Sequence, residues 1–309
     1  MPINFDYLGH MATFNRQITD VVEFATRLEQ FTAIHNFITE HNNSGASWTA
    51  GHNQFSDWSH AEYKSILGYK AGEADTHVAT VWFEETNADS VNWVDAGAVT
   101  PVKDQGQCGS CWSFSSTGAL EGAHFIASGE LLSFSEQQLV DCAGLRYGNL
   151  GCNGGMQNRA FNYLKTHKAE LESVYPYFSG TTKSAGDCAF SSSSTTAVDV
   201  SSYTKVTADN ESQMKAALVQ QPLAVSIEAD KTVFQTYKSG VLNSADCGTK
   251  LDHAVLAVGY GNEDGQDYWL VKNSWNTTWG DNGYIKLAMD SSKGTCGVQM
   301  GPLFPTTNQ

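Results

Sequence analysis

The amino-acid sequence predicts an α+β fold, in which a helical half precedes an antiparallel β half. Apolar residues recur at spacings of three and four in Val21–His41 and again in Cys111–Ala127, which is the period of an amphipathic helix. The last third instead contains short runs rich in Val, Ile, Tyr and Trp, bounded by Gly, Asn and Asp. We predict these runs as strands: Leu223–Ile227, His253–Val258, Tyr268–Val271 and Tyr284–Leu287. A cleft between the two halves is the expected place for a functional site.

The composition excludes several classes of protein. The chain has 309 residues, enough for a large core plus one further small domain. Hydrophobic residues make up 41% and charged residues 17%, so the chain is not disordered. It has no run of about 18 apolar residues, and we therefore expect no transmembrane helix. The net charge of −15 argues against nucleic-acid binding, which needs a basic surface.

Polar segments divide the chain. Lys70–Thr80 and Thr86–Ser90 bracket a linker that we expect to be exposed and open to proteolysis. Ser191–Thr196 separates the helical half from the β half. The N-terminal residues lack the apolar region of a signal peptide. Residues 1–12 are interpreted as an expression leader with a second start at Met11; the alternative, that they belong to the natural chain, stays open.

Seven cysteines allow at most three disulfides and leave one thiol over. The segment Cys108-Gly-Ser-Cys111 has three interpretations. A redox pair would need a preceding strand, whereas residues 100–106 are rich in turn formers. A zinc site would need a second cysteine or histidine pair at ligand spacing, and Cys142 and Cys152 are ten residues apart. In the third interpretation Cys108 forms a disulfide and Cys111 is a nucleophile that opens a helix.

The third interpretation has a physical basis. The dipole and free amides of a helix N-terminus stabilise a thiolate, so we expect the thiol pKa to fall below about 8.5. An imidazolium partner would stabilise the thiolate further. A buried, inert thiol is the alternative for a lone cysteine. The neighbouring residues favour the nucleophile, because Gln105-Gly-Gln-Cys-Gly-Ser-Cys111-Trp112 resembles the nucleophile segment of papain and cathepsin L.

Three further blocks resemble the papain-like (C1) cysteine proteases in the same order. They are the glycine segment Cys152-Asn-Gly-Gly155, the histidine strand Leu251-Asp-His253, and Asn273-Ser-Trp275 with Trp279-Gly280. His253 follows Cys111 by 142 residues, within the usual spacing of about 130–150, and Asn273 at 162 lies slightly beyond it. The resemblance covers roughly residues 91–301. It implies a papain-like fold of two subdomains, one helical and one resembling an antiparallel β-barrel.

The resemblance also implies roles for individual residues. Cys111 would attack the peptide carbonyl and form an acyl-enzyme, with His253 as its ion-pair partner and later proton donor. Asn273 would orient the imidazole. The Gln105 side chain and the Cys111 backbone N–H would form the oxyanion hole. Trp275 would shield the His253–Asn273 contact from water, the alternative being an ordinary core tryptophan.

Disulfides and substrate contacts are likewise implied by the resemblance. The expected pairs are Cys108–Cys152, Cys142–Cys188 and Cys247–Cys296, although six cysteines alone permit 15 pairings. No residue at the positions that resemble the S2 pocket is charged, which implies a hydrophobic or aromatic P2 preference. The expected substrate-binding residues are Gly109, Gly154, Gly155, Met156, Ser226, Leu251, Ala254, Trp275 and Gly301. We expect no metal and no cofactor.

The N-terminal helix resembles the ERFNIN motif of cathepsin L-like propeptides. The motif is Glu23-x3-Arg27-x3-Phe31-x2-Ile34-x3-Ile38-x3-Asn42, with Ile34 in place of an asparagine. Gly51-His-Asn53-Gln-Phe55-Ser-Asp57 matches the GxNxFxD motif at every specified position. These motifs imply an inhibitory propeptide at residues 13–88, a peptidase domain at 89–309, and cleavage near Ala88–Ser90. Protonation of Asp57 and other propeptide carboxylates at low pH is the expected release trigger.

Asn276 occupies a position where the family usually has glycine. If the position needs φ > 0, asparagine is the least costly substitute. It also heads an Asn-Thr-Thr glycosylation sequon, which we expect to be unmodified because a glycan would crowd the primed side of the cleft. Asn42 and Asn210 head two further sequons.

The expected function is therefore that of a cysteine endopeptidase zymogen that is lysosomal or secreted. Its partners would be protein and peptide substrates, its own propeptide and cystatin-type inhibitors, with no nucleic acid or membrane, and the protein would be a monomer. An exopeptidase is the first alternative, but the chain lacks a long insertion after Gly155 like the occluding loop of cathepsin B. A non-catalytic binding protein is the second, but Cys111, His253, Asn273 and Gln105 are all present.

Overall fold

The computed structural model describes residues 3–72, 78, 80–190, 198–289 and 293–307. Its α-helices are α1 Ile3–Thr13, α2 Val21–Asn42, α3 His60–Ser65, α4 Cys111–Ser128, α5 Glu136–Cys142, α6 Gln157–Leu164, α7 Ser179–Thr182, α8 Glu211–Leu218 and α9 Thr232–Gln235. Its strands are β1 Trp48–Ala50, β2 Thr80–Val81, β3 Val91–Asn92, β4 Val200–Val206, β5 Leu223–Ile227, β6 Tyr237–Leu242, β7 His253–Glu263, β8 Gln266–Lys272, β9 Tyr284–Ala288 and β10 Leu303–Thr307. The predicted serine-rich separator 191–196 and most of the linker 70–80 lie outside the described residues.

Both predicted helices are confirmed. Helix α2 begins at Val21 because the Asp20 side chain accepts a hydrogen bond from the Glu23 N–H at 2.8 Å, as an N-cap does. Helix α4 begins at Cys111 and ends at Ser128, where Gly129 takes the left-handed conformation with φ 77°. A glycine adopts this conformation without steric cost, which explains the end of the helix.

The four predicted strands are present, and one is longer than predicted. Strand β7 continues past Val258 to Glu263, although Gly259 interrupts the apolar pattern. Strand β3 approaches β7 at this glycine, and a Cβ there would lie 2.3 Å from the Val91 carbonyl oxygen. Glycine is required here for close strand approach. The mixed α+β architecture is confirmed.

The sequence from Ser135 to Gln138 has the spacing of a capping box, in which a serine and a glutamine or glutamate three residues later bond each other's backbone N–H, but only one of the two bonds forms. Ser135 Oγ accepts from the Gln138 N–H at 2.9 Å and so caps α5. The Gln138 side chain does not return to Ser135; its Oε1 accepts from the Glu170 N–H, and its Nε2 donates to the Lys168 carbonyl. A tertiary partner has therefore replaced the local one.

Residues 3–13 differ from the expectation of a leader outside the fold. They form α1, and Tyr7 in this helix is fully buried against Phe31 of α2, with ring centroids 5.2 Å apart. His10 is also buried and lies 4.8 Å from the Phe14 ring. Helix α1 thus packs as part of the N-terminal unit.

The N-terminal unit adds a strand to each end of the peptidase sheet. The strand order is β1-β6-β9-β8-β7-β5-β10-β4-β2, with β3 beside β7. Strand β1 pairs antiparallel with β6, and β2 pairs parallel with β4. Between these two strands, the chain at residues 66–70 crosses the cleft where α4 begins and β7 starts. Among the described residues, no helix is long and apolar enough to span a membrane.

Candidate active site

Cys111 is the cysteine left over by the disulfides. The three predicted pairs are present, Cys108–Cys152, Cys142–Cys188 and Cys247–Cys296, and Cys111 is free and buried. It occupies the first residue of α4. The Cys108–Cys152 disulfide joins the approach to this helix with the turn at Gly151–Asn153, and so holds the nucleophile segment beside the glycine segment.

Neighbouring strands bring His253 and Asn273 together. His253 opens β7, and Asn273 follows β8, which pairs antiparallel with β7. His253 Nε2 lies 2.8 Å from Asn273 Oδ1. Because this oxygen can only accept, Nε2 carries the proton, and Nδ1 is the basic atom of the neutral ring. Nδ1 is buried and has no hydrogen-bond partner among the described residues.

Trp275 covers the histidine. Its ring stacks on the His253 ring at a centroid separation of 4.5 Å, and the side chain is 1% exposed. Its Nε1 donates to Gln105 Oε1 at 3.1 Å. The tryptophan therefore shields the imidazole and is also tied to the residue that we predicted as an oxyanion donor.

Residues of the N-terminal unit occupy the position in front of the nucleophile. The Gly68 N–H donates to Cys111 Sγ at 3.3 Å, and the Ala254 N–H donates to the same atom at 3.4 Å. The Gln105 side chain donates to the Ile66 carbonyl at 2.8 Å and to the Cys108 carbonyl at 2.8 Å. A Cβ on Gly68 would lie 1.8 Å from the Gly109 carbonyl oxygen, so only glycine allows this approach.

The electrostatics favour a neutral Cys–His pair. Burial raises the pKa of the Cys111 thiol to about 12 and lowers the pKa of His253 to about 4. This differs from the expected low thiol pKa, because that expectation considered the helix terminus without the chain that covers it. With both side chains fully buried, desolvation outweighs the helix dipole.

The crossing segment pairs with the glycine segment as a parallel strand. The Gly155 N–H donates to the Gly68 carbonyl at 2.8 Å, and the Lys70 N–H donates to the Gly155 carbonyl at 3.1 Å. Tyr69 and Gly155 form a parallel bridge. Gly154 has φ 111°, and a Cβ there would lie 2.6 Å from the Gly68 carbonyl oxygen. Both predicted glycines therefore contact backbone, here that of the N-terminal unit.

Most of the predicted S2 residues surround Tyr69. Met156 and Gly301 line one cavity with Tyr69. Tyr69 also packs against the hydrophobic cluster that contains Ala254. Burial raises the pKa of Tyr69, and a hydrogen bond from Ser226 partly offsets this effect. Leu251 differs: it is half-buried ahead of β7 and does not line this cavity.

The N-terminal motifs form the contacts that hold the unit on the cleft. Asn53 Nδ2 donates to the Gln235 carbonyl at 2.7 Å, and the Phe55 ring meets the edge of Trp275 at 5.1 Å. Asn42 holds β1, since its side chain accepts from the Ala50 N–H at 2.9 Å and donates to the Ala50 carbonyl at 3.0 Å. Ile34, the departure from the motif, is half-buried.

Asp57, the last motif residue, is fully buried. Arg16 Nη2 lies 3.2 Å and His10 Nε2 3.5 Å from Asp57 Oδ1. Burial alone would raise the pKa of this carboxyl, but His10 and Arg16 hold it below its ordinary value. Asp57 is thus a buried anion whose partners come from α1 and the turn after it.

Sequence reasoning missed a charged cluster behind Asn273. Lys103 Nζ contacts Glu121 at 2.9 Å and Glu136 at 2.6 Å, and Lys272 Nζ donates to Thr100 Oγ1 at 3.0 Å. Burial lowers the pKa of Lys272 to about 8. The only signal in the sequence was a lysine directly before Asn273 in an apolar strand. No group of three metal-ligating side chains occurs within the described part of the chain.

Asn276 adopts the conformation that its position demands. Its φ is 61°, in the left-handed region. The side chain is exposed and accepts from the Thr277 N–H. Thr278, the third sequon residue, donates to Gln54 Oε1 of the N-terminal unit at 2.8 Å.

Comparisons with known proteins match both parts of the chain. The profile described as papain family cysteine protease matches residues 87–306, and that of the cathepsin propeptide inhibitor domain (I29) matches residues 7–63. The chain is 43% identical over 303 residues to digestive cysteine proteinase 1 of Homarus americanus, covering 95% of this chain and 92% of that protein. It is 42% identical over 302 residues to cathepsin L of Sarcophaga peregrina, covering 92% and 87%. The solved structure of digestive procathepsin L 3 of Tenebrio molitor superimposes with a TM-score of 0.88 at 34% identity, covering 98% and 99%.

Proposed function

Because this chain belongs to the papain family of cysteine proteases and carries a cathepsin-type propeptide, we propose that Cys111, His253 and Asn273 form its catalytic triad. The chain is the precursor of a cysteine endopeptidase. The observation that carries the assignment is the Asn273 Oδ1···Nε2 contact at 2.8 Å, which leaves His253 Nδ1 free as the base for the Cys111 thiol.

In the proposed reaction, His253 Nδ1 takes the thiol proton, and the Cys111 thiolate attacks the peptide carbonyl carbon. The Gln105 amide donates to the developing oxyanion; its present bond to the Ile66 carbonyl supports this role. His253 then protonates the leaving amine. Water hydrolyses the thioester and regenerates the thiol, with the imidazole again acting as base.

The propeptide inhibits by lying in the cleft in the direction opposite to a substrate. In the propeptide, Ile66 contacts Gln105 and Gly68 contacts Cys111. The chain then continues to Lys70, which bonds Gly155. A substrate with its P2 residue at Gly155 and its scissile carbonyl at Cys111 runs the other way. The propeptide therefore presents the Gly68 N–H to the sulfur, and no attack follows.

Removal of the propeptide would restore the ion pair. The neutral thiol and imidazole result from burial, and water that enters the open cleft stabilises charge on both groups. The helix dipole of α4 then favours the thiolate. We propose that acidic pH promotes this removal, with cleavage near Ala88–Ser90, where the chain is exposed.

The proposed P2 preference is hydrophobic or aromatic. Tyr69 of the propeptide occupies the position beside Gly155, in a cavity that Met156 and Gly301 also line. No carboxylate lines that cavity among the described residues, so a P2 Arg gains no ion pair there. We further propose a monomer, inhibition by cystatin-type proteins and a lysosomal or secreted location, in line with its three disulfides.

Acid activation followed by thiol labelling tests this function. The wild-type precursor is held at acidic pH, sequenced from its N-terminus, treated with an epoxide thiol inhibitor and assayed on peptides that differ only at P2. We expect one label per chain, its loss in Cys111→Ala, and faster cleavage of peptides with Leu or Phe at P2 than of peptides with Arg at P2. Equal labelling of Cys111→Ala would contradict the assigned nucleophile, and equal cleavage of the P2 Arg peptide would contradict the pocket.

A further inference from the structure

The propeptide makes a second set of contacts far from Cys111, at the outer edge of strand β4. Thr80 pairs with Lys205 and Val81 with Val206, in parallel register. Strand β4 pairs on its other side with β10, so β2 covers an edge that the peptidase leaves open. An uncovered strand edge presents backbone donors and acceptors that can pair with another extended chain.

One side chain of the peptidase is shaped to hold this segment. Gln213 Oε1 accepts from the Phe83 N–H at 2.7 Å, and Gln213 Nε2 donates to the Phe83 carbonyl at 2.9 Å. The Gln213 side chain is fully buried in the precursor. Its amide thus pairs with both backbone groups of a single residue, as a neighbouring strand would, and this contact does not depend on the identity of that residue.

The same place also has an apolar component. The Phe83 ring lies 6.0 Å from the Phe304 ring, and Phe83 is half-buried. Trp82 is 67% exposed. An extended segment therefore binds here through its backbone and one aromatic side chain, while the preceding side chain stays in water.

This groove is continuous with the proposed S2 pocket. A single cavity is lined by Met156 and Gly301 of the proposed S2 pocket and also by Thr80, Lys205 and Val206. A chain bound in the active-site cleft can thus extend towards the β4 edge without leaving the surface of the enzyme. This continuity points to a substrate protein as the occupant.

We propose that the groove formed by β4, Gln213 and Phe304 is a substrate-docking site of the mature enzyme, which binds an extended segment with an aromatic residue by strand addition. The inference rests on the proposed function, since maturation vacates the groove. The precursor occupies it with residues 80–83 of its own propeptide. Strand addition with one side-chain pocket is a general mode of peptide recognition.

Binding of a peptide tests the groove without the need for catalysis. The Cys111→Ala chain is cut with pepsin at acidic pH, freed of propeptide fragments by gel filtration, and checked by mass to begin after Phe83. A fluorescent peptide of residues 80–86, TVWFEET, is then titrated and followed by anisotropy. We expect saturable binding that Phe83→Ala, or N-methylation at Phe83, weakens at least about tenfold, because each removes the ring or the donor to Gln213. The control peptide Trp82→Ala should bind within about twofold of the parent.

Enzyme variants locate the site. Gln213→Ala should weaken the binding of the parent peptide about tenfold. N-methylation of the peptide should then have no further effect on the affinity, because both changes remove the same hydrogen bond, as in a double-mutant cycle. Gln220→Ala changes a glutamine just beyond α8 whose side chain, among the described residues, bonds to the Ala216 carbonyl and not to the propeptide; this variant should bind as the parent does. If Gln213→Ala does not fold, the N-methyl peptide tests the same hydrogen bond on the enzyme with its native Gln213.

Several outcomes would overturn the proposal. They are the absence of saturable binding, equal losses from Trp82→Ala and Phe83→Ala, unchanged binding by Gln213→Ala, and a mature chain that retains residues 80–83. A failure of epoxide labelling in the wild-type enzyme would instead overturn the proposed function, since pepsin opens the groove whether or not the enzyme can activate itself.

Discussion

The N-terminal unit, which comprises the described residues before position 87, and the peptidase unit, from residue 87 onward, both bury carboxylates, but the cations opposite them differ. In the N-terminal unit Asp57 faces Arg16 and a histidine, His10. In the peptidase unit Glu121 faces Lys103, and burial would raise its pKa, but Lys103 and Lys272 hold it below the ordinary value. The carboxylate of the peptidase unit is thus held by a strong base, lysine, and that of the N-terminal unit partly by a weaker base, histidine.

The two units also differ in what holds them together. The first cysteine of the chain is Cys108, so all three disulfides belong to the peptidase. The N-terminal unit instead contains a histidine pair, with His35 Nδ1 3.1 Å from His52 Nε2, stacked beside Phe31. We therefore expect acid to loosen the inhibitor while the enzyme beneath it stays folded.

The largest expected effect belongs to the disulfides of the peptidase. The Cys247–Cys296 bridge closes a loop of 49 residues. Replacing both cysteines with serine should lower the free energy of unfolding by about 4 kcal/mol, because the unfolded chain gains loop entropy. Urea unfolding at pH 7 measures this loss. The control is Cys111→Ser, which replaces a cysteine that forms no disulfide; its free energy of unfolding should stay close to that of the parent. An equal loss of stability in the control would show that the disulfide is not the cause.

The apolar anchor of the inhibitor comes next. Phe55→Ala removes a ring that is 4% exposed and packs on the edge of Trp275. A buried Phe→Ala change costs about 3–5 kcal/mol, so the propeptide should leave the cleft at neutral pH. Epoxide labelling of the uncut precursor at pH 7 reads this out. Phe5→Ala, at a side chain 77% exposed in the same unit, should label no faster than wild type.

Asp57→Asn removes the anion that Arg16 and His10 share. Leaving a buried cation without its partner costs about 3 kcal/mol, near the lower end of the usual range because Arg16 is partly hydrated. The precursor should therefore mature at pH 7 faster than wild type, as followed by gel electrophoresis. Asn36→Asp, the reverse exchange at an exposed position of α2, should leave the rate unchanged.

The pH dependence of maturation should follow His52 rather than Asp57. The folded unit lowers the Asp57 pKa, so this stabilisation is lost only as pH falls through a value below the ordinary 3.8. Burial lowers the pKa of His52 from 6.5 to about 4, and the nearby His35 and His10 contribute to this shift. Asp6 acts in the other direction and partly offsets it. The unfolded unit therefore binds more protons between pH 6.5 and 4, and the inhibitor loses stability as pH falls through this window.

His52→Phe tests that assignment. Phenylalanine keeps the stacking on Phe31 and removes the titratable ring. The increase in maturation rate between pH 6.5 and pH 4 should therefore be several-fold smaller in His52→Phe than in wild type. The exposed His60→Phe should keep the wild-type profile. If the pH dependence of the maturation rate is unchanged in His52→Phe but flattened in Asp57→Asn, the Asp57 carboxylate is the trigger instead.

The two longest helices and four of the strands could be predicted from the sequence because their signals are local. The residues of the proposed triad were assigned by the resemblance of short motifs around them. Helix α4 has its apolar period, its nucleophile at the first residue and Gly129 at its end. The neutral state of Cys111 and His253 could not be predicted, because it depends on the cover supplied by Gly68 from a distant part of the chain.

The same reason explains why helix α1 and strand β2 could not be predicted. Only two of the α1 side chains beyond residue 4, Tyr7 and His10, are fully buried, so the helix carries little apolar pattern of its own. Its partners, Phe31 and Asp57, come later in the chain. Strand β2 has two residues, and its pairing of Thr80 with Lys205 spans most of the peptidase sequence. Such non-local contacts leave no period to detect.

The smallest expected effect belongs to the first residue of the ERFNIN motif. Glu23 bonds Arg27 at 2.9 Å on the surface of α2, but the Glu23 side chain is 48% exposed, and Arg27 also bonds Glu62 at 2.8 Å. An exposed pair of this kind contributes about 0.5 kcal/mol or less, so Glu23→Gln should mature at the wild-type rate at every pH. Glu62→Gln should mature measurably faster, because Glu62 also accepts from the Ser59 N–H at 2.7 Å and completes the capping box of α3. If Glu23→Gln and Glu62→Gln mature at the same rate, the ion pair between Arg27 of α2 and Glu62 of α3 does not secure the inhibitor more than the Glu23–Arg27 pair within α2 does.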